Sequence, residues 1–187
     1  DYAMGATFYR KALQISDSLN MTDHTGFPIY FGLGQVYMEL RDFETSDTYF
    51  KLAEKQYAER TLAEKFTFCN NRGNYYYYKE EYANALIWFK QALALVDNGG
   101  YDFYINLCRL NLGDIYNNLN QPDSAHYYLD KCQPYFSSIS NPTALYYIAT
   151  IKAGLALKAN NSGLAGKYLK QTENNTNIDL NIITIRN

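Results

Sequence analysis

The pattern of apolar and polar positions in residues 71–93 predicts two helices joined by a short turn. Four consecutive tyrosines, at positions 75–78, would fan around most of a helix because each residue adds a rotation of about 100°. The apolar residues that follow recur at spacings of three and four, which is typical of an amphipathic helix: Tyr82, Ala85, Leu86, Phe89, Ala92 and Leu93. The polar residues between the two segments, Lys79, Glu80 and Glu81, predict the turn.

The same spacing occurs several times along the chain. In each copy two small residues lie 12 positions apart, a large apolar residue follows four positions after the second, and another small residue follows three positions after that. The three copies are Gly34, Ser46, Phe50 and Ala53; Gly73, Ala85, Phe89 and Ala92; and Gly113, Ala125, Leu129 and Cys132. Successive glycines are 39 and 40 residues apart. A weaker copy has Ala153, Ala165, Leu169 and Thr172, and a half copy has Gly5, Tyr9 and Ala12. An internal repeat therefore organises almost the whole chain.

These residues resemble the tetratricopeptide repeat, which has a large residue, a Leu-Gly pair, a Tyr, a small residue, a Phe and an Ala at fixed positions. The first complete copy matches with Tyr30, Leu33, Gly34, Tyr37, Ser46, Phe50 and Ala53. The second has Cys69, Arg72, Gly73, Tyr76, Ala85, Phe89 and Ala92, and the third Arg109, Leu112, Gly113, Tyr116, Ala125, Leu129 and Cys132. Cys69, Arg72 and Arg109 depart from the family pattern.

The resemblance implies an all-α fold, a right-handed superhelix of antiparallel helix pairs. It predicts a half repeat at 1–20, repeats at about 27–60, 66–99, 106–139 and 146–173, and a tail or the start of another element at 174–187. The usual period is about 34 residues, so the longer period leaves room for about one extra helical turn per repeat. The two helices of a repeat are expected to cross at the small pairs Gly34/Ser46, Gly73/Ala85 and Gly113/Ala125, because only small residues let two backbones approach closely.

Composition narrows the function classes. The net charge of −2 and the pI near 5.7 argue against a nucleic-acid-binding surface, which would concentrate Lys and Arg on one face. No apolar run approaches the roughly 18 residues that a membrane-spanning helix needs. The chain opens without Met, with a half repeat, so we expect it to be part of a longer protein.

The sequence holds no combination of residues that suggests catalysis or a cofactor. Cys69, Cys108 and Cys132 form no C-x-x-C pair and are predicted to be small buried residues. His24 and His126 have no nucleophile or carboxylate at a catalytic spacing, and no nucleotide or metal motif occurs. We expect no enzyme activity, cofactor or metal site. The cysteine usage favours a cytoplasmic location, with a periplasmic one left open.

The resemblance places a concave groove along the first helix of each repeat. Its predicted peptide-binding residues are Phe31 and Gln35 in the first repeat, Asn70, Asn71, Asn74, Tyr77 and Tyr78 in the second, and Leu110, Asn111 and Asp114 in the third. Other positions of the same row are Pro28, Gly32, Met38, Glu39, Thr67, Leu107, Asn117 and Asn118. Of the four tyrosines, Tyr76 is predicted to be core and Tyr75 to face the neighbouring repeat, although the tyrosines could simply reflect a chain with 20 of them.

Asn71 and Asn111 occupy the same repeat position, 40 residues apart. Their amides could hydrogen-bond an extended peptide backbone, as asparagines do in resembling peptide-binding repeats, or they could be solvated helix residues. Glu39 and Asp114 are the charged members of the row, which favours a neutral or basic apolar-rich partner.

The sequence therefore predicts a protein- or peptide-binding module. The sensing part of a larger bacterial regulator is the favoured context. The alternative is a structural scaffold that assembles through its outer face or end helices, including as a homo-oligomer.

Overall fold

The computed structural model describes residues 1–97 and 99–171, with the side chains of 22–24 outside that description. These residues form nine α-helices and one short 3-10 helix, and no strand occurs among them. Consecutive helices pack as pairs, so the predicted all-α class is confirmed. The predicted tail at 174–187 lies outside the described residues.

The chain divides into two compact units, Asp1–Glu81 (unit 1) and Tyr82–Asn187 (unit 2). Unit 1 contains α1 Tyr2–Ser18, α2 Thr22–Glu39, α3 Phe43–Glu54, the 3-10 helix Tyr57–Glu59 and α4 Leu62–Tyr78. Unit 2 contains α5 Tyr82–Val96, α6 Asp102–Asn118, α7 Pro122–Ser138, α8 Pro142–Lys158 and α9 Ser162–Lys170.

The extra helical turn expected from the long repeat lies at the start of each first helix. Helices α4, α6 and α8 begin at Leu62, Asp102 and Pro142, four residues before the repeat starts that the sequence predicts. Local capping explains α4: the Thr61 backbone N–H donates to Glu64 Oε2 (2.8 Å), and the Glu64 N–H donates to Thr61 Oγ1 (3.3 Å). This reciprocal capping box satisfies two backbone donors that the first helical turn would otherwise leave without partners.

Six of the helix-to-helix turns share one backbone geometry. One residue in each of six turns has a positive φ of 50–62°: Asn20, Arg41, Glu80, Asn120, Ser140 and Asn160. The next N–H then bonds back across the helix end, as from Asp42 to the Tyr37 carbonyl (3.0 Å), which terminates the helix. Asparagine adopts this left-handed conformation more readily than most residues. Asn20 and Asn160 therefore suit these turns.

The small residues at two predicted crossings are required by close packing. In unit 1, Ser46 Oγ donates to the Gly34 carbonyl (2.7 Å), and a Cβ on Gly34 would lie 2.7 Å from the Phe50 ring. In unit 2, a Cβ on Gly113 would lie 2.7 Å from Leu129 Cδ2. These two crossings are confirmed.

The two helices of the weaker fourth repeat also pack together, whereas the predicted crossing at Gly73 and Ala85 is not tested. Ala153 and Ala165 belong to one buried cluster with Ala156, as expected if α8 and α9 form the fourth helix pair. Gly73 and Ala85 are both buried but belong to different units, so their crossing stays a prediction.

Arg72 organises the core of unit 1. Its side chain is 4% exposed, and its Nη1 donates to Asp47 Oδ1 at 2.8 Å. The guanidinium lies 5.1–5.4 Å from the ring centres of Phe50, Tyr75 and Tyr76, which are distances typical of cation–π contacts. The family pattern has Leu at this position, and the Asp47 carboxylate of the preceding helix pair explains how an arginine is accommodated.

The structure changes the order of burial among the tyrosines at 75–78. Tyr75 is buried, and its hydroxyl donates to the Phe43 carbonyl (3.2 Å), which confirms that it faces the preceding repeat. Tyr76, predicted to be core, is only half-buried. Its hydroxyl accepts a hydrogen bond from Arg72 Nη2 (3.2 Å), so the arginine has replaced the apolar neighbour that the family pattern would give it.

A buried lysine links α7 and α8 in unit 2. Lys152 Nζ donates to Asp130 Oδ1 (2.5 Å) and Gln133 Oε1 (2.6 Å), and its side chain is 7% exposed. Lys158 Nζ donates to the Asn117 carbonyl (2.9 Å) at the end of α6, where a cation is favoured by the helix dipole. Polar contacts therefore fix how these helices pair.

The three cysteines are buried free thiols, as predicted. Burial raises the pKa of the Cys132 thiol to about 12 and also raises that of Cys69. Both therefore stay protonated at neutral pH, and a protonated, buried thiol is a poor nucleophile.

Candidate functional site

Helices α1, α2 and α4 of unit 1 enclose a groove with a volume of about 380 Å³. This is within the range of pockets that bind ligands, at the small end. Three helices contribute to its wall: Tyr9 from α1, Phe27, Pro28, Phe31, Gly32 and Gln35 from α2, and Ala63, Glu64 and Thr67 from α4. We refer to these nine residues as the unit 1 groove.

Aromatic rings form the apolar part of this groove. Phe27 and Phe31 lie one helical turn apart and stack with ring centres 5.8 Å apart and planes 7° apart. Phe31 also contacts the rings of Phe50 and Phe68 behind it, each at 6.1 Å. Phe31 is half-buried, so part of its ring lies at the groove surface while the rest anchors it in the core.

Gly32 allows Tyr9 to reach the groove. A Cβ on Gly32 would lie 2.3 Å from Tyr9 Cζ, which is closer than non-bonded atoms can approach. Any larger residue at position 32 would therefore displace the tyrosine. The glycine is needed here for a close approach of a side chain, not for its backbone conformation.

An amide pair lies beside the aromatic rings. Gln35 Nε2 donates to Asn71 Oδ1 at 3.0 Å, and Asn71 Nδ2 donates to the Thr67 carbonyl at 2.9 Å. These bonds link α2 to α4 and orient both amides. Within the described residues, Gln35 Oε1 accepts no hydrogen bond and remains available to a donor.

Glu64 is the charged residue of the groove wall. Its Oε2 accepts hydrogen bonds from the backbone N–H and the hydroxyl of Thr61, both at 2.8 Å. These bonds hold the pKa of Glu64 below its ordinary value. The groove therefore carries a fixed negative charge at its α4 side, and no Lys or Arg is among its lining residues.

Two of the predicted binding residues lie in this groove. Phe31 and Gln35 line it, as do Pro28, Gly32 and Thr67 of the wider row. That these residues contact a ligand stays a prediction.

The other predicted α4 residues lie outside the groove lining. Asn70, Asn74, Tyr77 and Tyr78 are half-buried. The Arg41 guanidinium lies 4.3 Å from the centre of the Tyr78 ring, so this tyrosine has a packing partner within unit 1. Met38, predicted for the row, is 2% exposed and belongs to the core.

The predicted residues in unit 2 are mostly covered. Leu110 is 4% exposed and Asn111 is 2% exposed, because α6 packs against α5, α7 and α8. Asp114 is half-buried and accepts a hydrogen bond from Asn118 Nδ2 (3.3 Å). Asn71 and Asn111 were expected to present equivalent amides to the groove. The structure corrects this expectation, because Asn111 is buried whereas Asn71 is half-buried.

Four groove residues were not anticipated: Tyr9, Phe27, Ala63 and Glu64. Ala63 and Glu64 belong to the extra turn at the start of α4, which precedes the family pattern. The spacing Thr61-x-x-Glu64 is the sequence signal of a capping box and could have placed this turn. Tyr9 belongs to the half repeat, for which no groove position was assigned.

Other site types find no support among the described residues. No group of three or more His, Cys, Asp and Glu side chains in this part of the chain is placed to hold a metal ion. None of the helices described here is both long and apolar enough to span a membrane. His126 is half-buried on α7, and the side chain of His24 lies outside the described residues.

Comparison with known families supports the repeat assignment. Residues 27–59 and 66–98 each match a family model described as tetratricopeptide repeat. The two matches are 39 residues apart, in agreement with the period of the glycines. No curated protein sequence matches the chain.

Proposed function

The chain is a tetratricopeptide repeat protein, and from this premise we propose that it binds a peptide segment of a partner protein in the unit 1 groove. Tetratricopeptide repeats commonly mediate protein–protein interaction, and the family is typically non-catalytic. The observation that carries the proposal is the groove itself, in which stacked rings lie beside an oriented amide. We further propose that the chain serves as the sensing or docking part of a larger regulator, with no catalytic role of its own.

The groove suits a short stretch of an extended or helical peptide. Its volume of about 380 Å³ accommodates a few side chains, and the half-buried Phe31, backed by the buried Phe27, supplies rigid apolar contact area at low entropic cost. Gln35 Oε1 can accept a hydrogen bond from a peptide N–H. A contact of this size corresponds to transient recognition, with a Kd in roughly the micromolar range.

Two matched variants test the proposal. Ala63 is the second residue of α4 and lies in the groove wall, whereas Ala83 is the second residue of α5 and lies in unit 2; both are exposed. Ala63→Trp should fill the groove and lose the peptides that the wild-type chain selects from a library. Ala83→Trp adds the same ring at the same helix position and should retain them. Equal binding by both variants would contradict the proposal.

One feature favours self-assembly as a second candidate function. Met4, Phe8 and Ile15 are 55%, 65% and 52% exposed, and their spacing of four and seven residues places them on one side of α1. The opposite side of α1, with Ala6, packs on α2. An exposed apolar stripe of this kind is typical of an interaction surface. We propose a second copy of the chain as its occupant.

Sedimentation equilibrium tests the self-assembly candidate. The wild-type chain should dimerise with increasing concentration, and Phe8→Lys should remain monomeric. Ile87→Lys replaces an equally exposed apolar residue, 63% exposed on α5, and should still dimerise. A wild-type chain that stays monomeric at high concentration would exclude this candidate.

A further inference from the structure

We propose, resting on the peptide-binding function above, that the unit 1 groove selects peptides that carry a large apolar side chain, preferably aromatic, with Lys or Arg within the few neighbouring residues. The apolar side chain would pack on the half-buried ring of Phe31, since Phe27 beside it is only 3% exposed, and the cation would pair with the Glu64 carboxylate. The proposed ligand class thus follows from the aromatic residues that α2 contributes to the groove wall and from the carboxylate that α4 contributes.

The charge of the wall indicates the sign of the ligand. Glu64 is the one carboxylate in the groove lining, and the lining contains no Lys or Arg. The Arg60 guanidinium, 5.3 Å from the centre of the Phe27 ring, partly offsets this charge, but no ion pair joins Arg60 to Glu64 among the described residues. Residues 1–81 as a whole carry twelve Asp and Glu against nine Lys and Arg. A cation approaching the groove is therefore attracted both by the local carboxylate and by the charge of unit 1, whereas an acidic peptide is repelled by both.

The hydrogen-bonding atoms of the wall point to the same class. Both hydrogen bonds from Thr61 go to Glu64 Oε2, so among the described residues Glu64 Oε1 keeps its lone pairs. Gln35 offers Oε1, since its Nε2 is engaged with Asn71. The Thr67 hydroxyl already donates to the Ala63 carbonyl (2.8 Å). Uncommitted acceptors at the wall favour donors on the ligand, and Lys and Arg are the charged side chains that only donate.

The carboxylate is held in place before a ligand arrives. Its bonds to Thr61 fix the Glu64 side chain against the first turn of α4, so little side-chain freedom is lost when a cation binds. They also keep it ionised in mildly acidic solution, because they lower its pKa. Glu64 therefore has a structural role as the partner of Thr61, and its second oxygen supplies the proposed recognition.

A peptide array and two charge variants of the full chain test the inference. Each short peptide carries Phe, Leu or Ala at one position of a Gly/Ser background, and Lys, Gln or Glu at each flanking position in turn. Glu64→Gln removes the charge but keeps the capping box, since Gln serves at that position as Glu does. Glu44→Gln, an exposed acid in the first turn of α3, removes the same charge away from the groove. Thermal melts by circular dichroism confirm that both variants fold.

The wild-type chain should retain peptides that combine Phe or Leu with a flanking Lys about three- to fivefold more strongly than their Gln counterparts, as expected for a partly exposed ion pair. Glu64→Gln should abolish this preference for Lys while keeping the preference for Phe over Ala, and Glu44→Gln should keep both. An undiminished Lys preference in Glu64→Gln, or a wild-type preference for Glu peptides, would overturn the ligand class. If the ligand class failed in this way but Ala63→Trp still lost the peptides that the wild-type chain binds, the proposed function would stand. If Ala63→Trp instead bound every peptide as the wild type does, the groove assignment and the inference would fail together.

Discussion

Replacing Asp47 by Asn should destabilise unit 1 by about 2–3 kcal/mol. The substitution leaves the guanidinium of Arg72, 4% exposed, without its carboxylate partner at 2.8 Å. Removing one member of a buried ion pair typically costs about 3–5 kcal/mol, because the remaining charge stays desolvated. We expect less here because Asp47 is 23% exposed and Asn still offers an acceptor oxygen.

Urea denaturation followed by circular dichroism measures this loss, and two further variants identify its origin. Asp47 also pairs with Lys51 (2.7 Å), but Lys51 is 67% exposed, so Lys51→Met should have little effect on the free energy of unfolding. The double variant Asp47→Asn/Arg72→Leu should be more stable than Asp47→Asn alone, since it removes a buried charge that has lost its carboxylate. Leu33 and Leu112 fill the same repeat position, both fully buried, which indicates that leucine fits there.

Two results would refute this reasoning. Asp47→Asn could unfold within about 0.5 kcal/mol of the wild-type chain, which would mean that the ion pair makes no net contribution. Alternatively, the double variant could be less stable than Asp47→Asn, which would mean that Arg72 stabilises through its ring contacts and not through the carboxylate.

Three further predictions concern the crossings, the turns and pH. Gly113→Ala should lower the free energy of unfolding by about 1–2 kcal/mol because the new Cβ meets Leu129, while Gly154→Ala, which meets nothing within 4 Å, should raise it by about 0.5–1 kcal/mol; urea titrations compare the two. Ser140→Gly should stabilise by about 0.5 kcal/mol because it relieves a residue at φ 50°, and an unchanged or lower melting temperature would contradict this. Burial raises the pKa of Asp47, but its hydrogen bonds from lysine and arginine outweigh burial and lower it overall. The ion pair therefore stabilises the fold above the ordinary carboxyl pKa, and this stability is lost as the pH falls through the folded pKa. The free energy of unfolding should fall less steeply between about pH 4 and pH 2 in Asp47→Asn than in the wild-type chain, and equal slopes would contradict the assignment.

The helix pairs could be predicted from sequence because their requirement is local and repeated. Where two backbones cross, only a small residue fits, so Gly34 with Ser46 and Gly113 with Ala125 appear at a constant offset. The resemblance to the tetratricopeptide repeat assigned Phe31 and Gln35 to the groove row of the first helix. These features depend on spacing within one helix pair, which the sequence displays directly.

The remaining features depend on contacts that spacing does not encode. Asn71 and Asn111 are equivalent in the repeat, but Asn111 is buried by the packing of α6 against its neighbours. The pairing of Asp47 with Arg72 joins residues 25 apart, and nothing in the periodic pattern couples them. Glu64 enters the groove because a capping box extends α4 backwards, beyond the part of the repeat that the family pattern defines.

Backbone amide chemical-shift mapping shows whether a peptide binds in the unit 1 groove. The full chain, labelled with ¹⁵N, is titrated with the peptide that it retains best from the array. Binding in the groove should produce saturable shifts concentrated at Phe31, Gln35 and Thr67, with none at Thr48 and Lys51 on the exposed side of α3. Shifts centred on α3 or on the exposed side of α1, or none at saturating peptide, would contradict it.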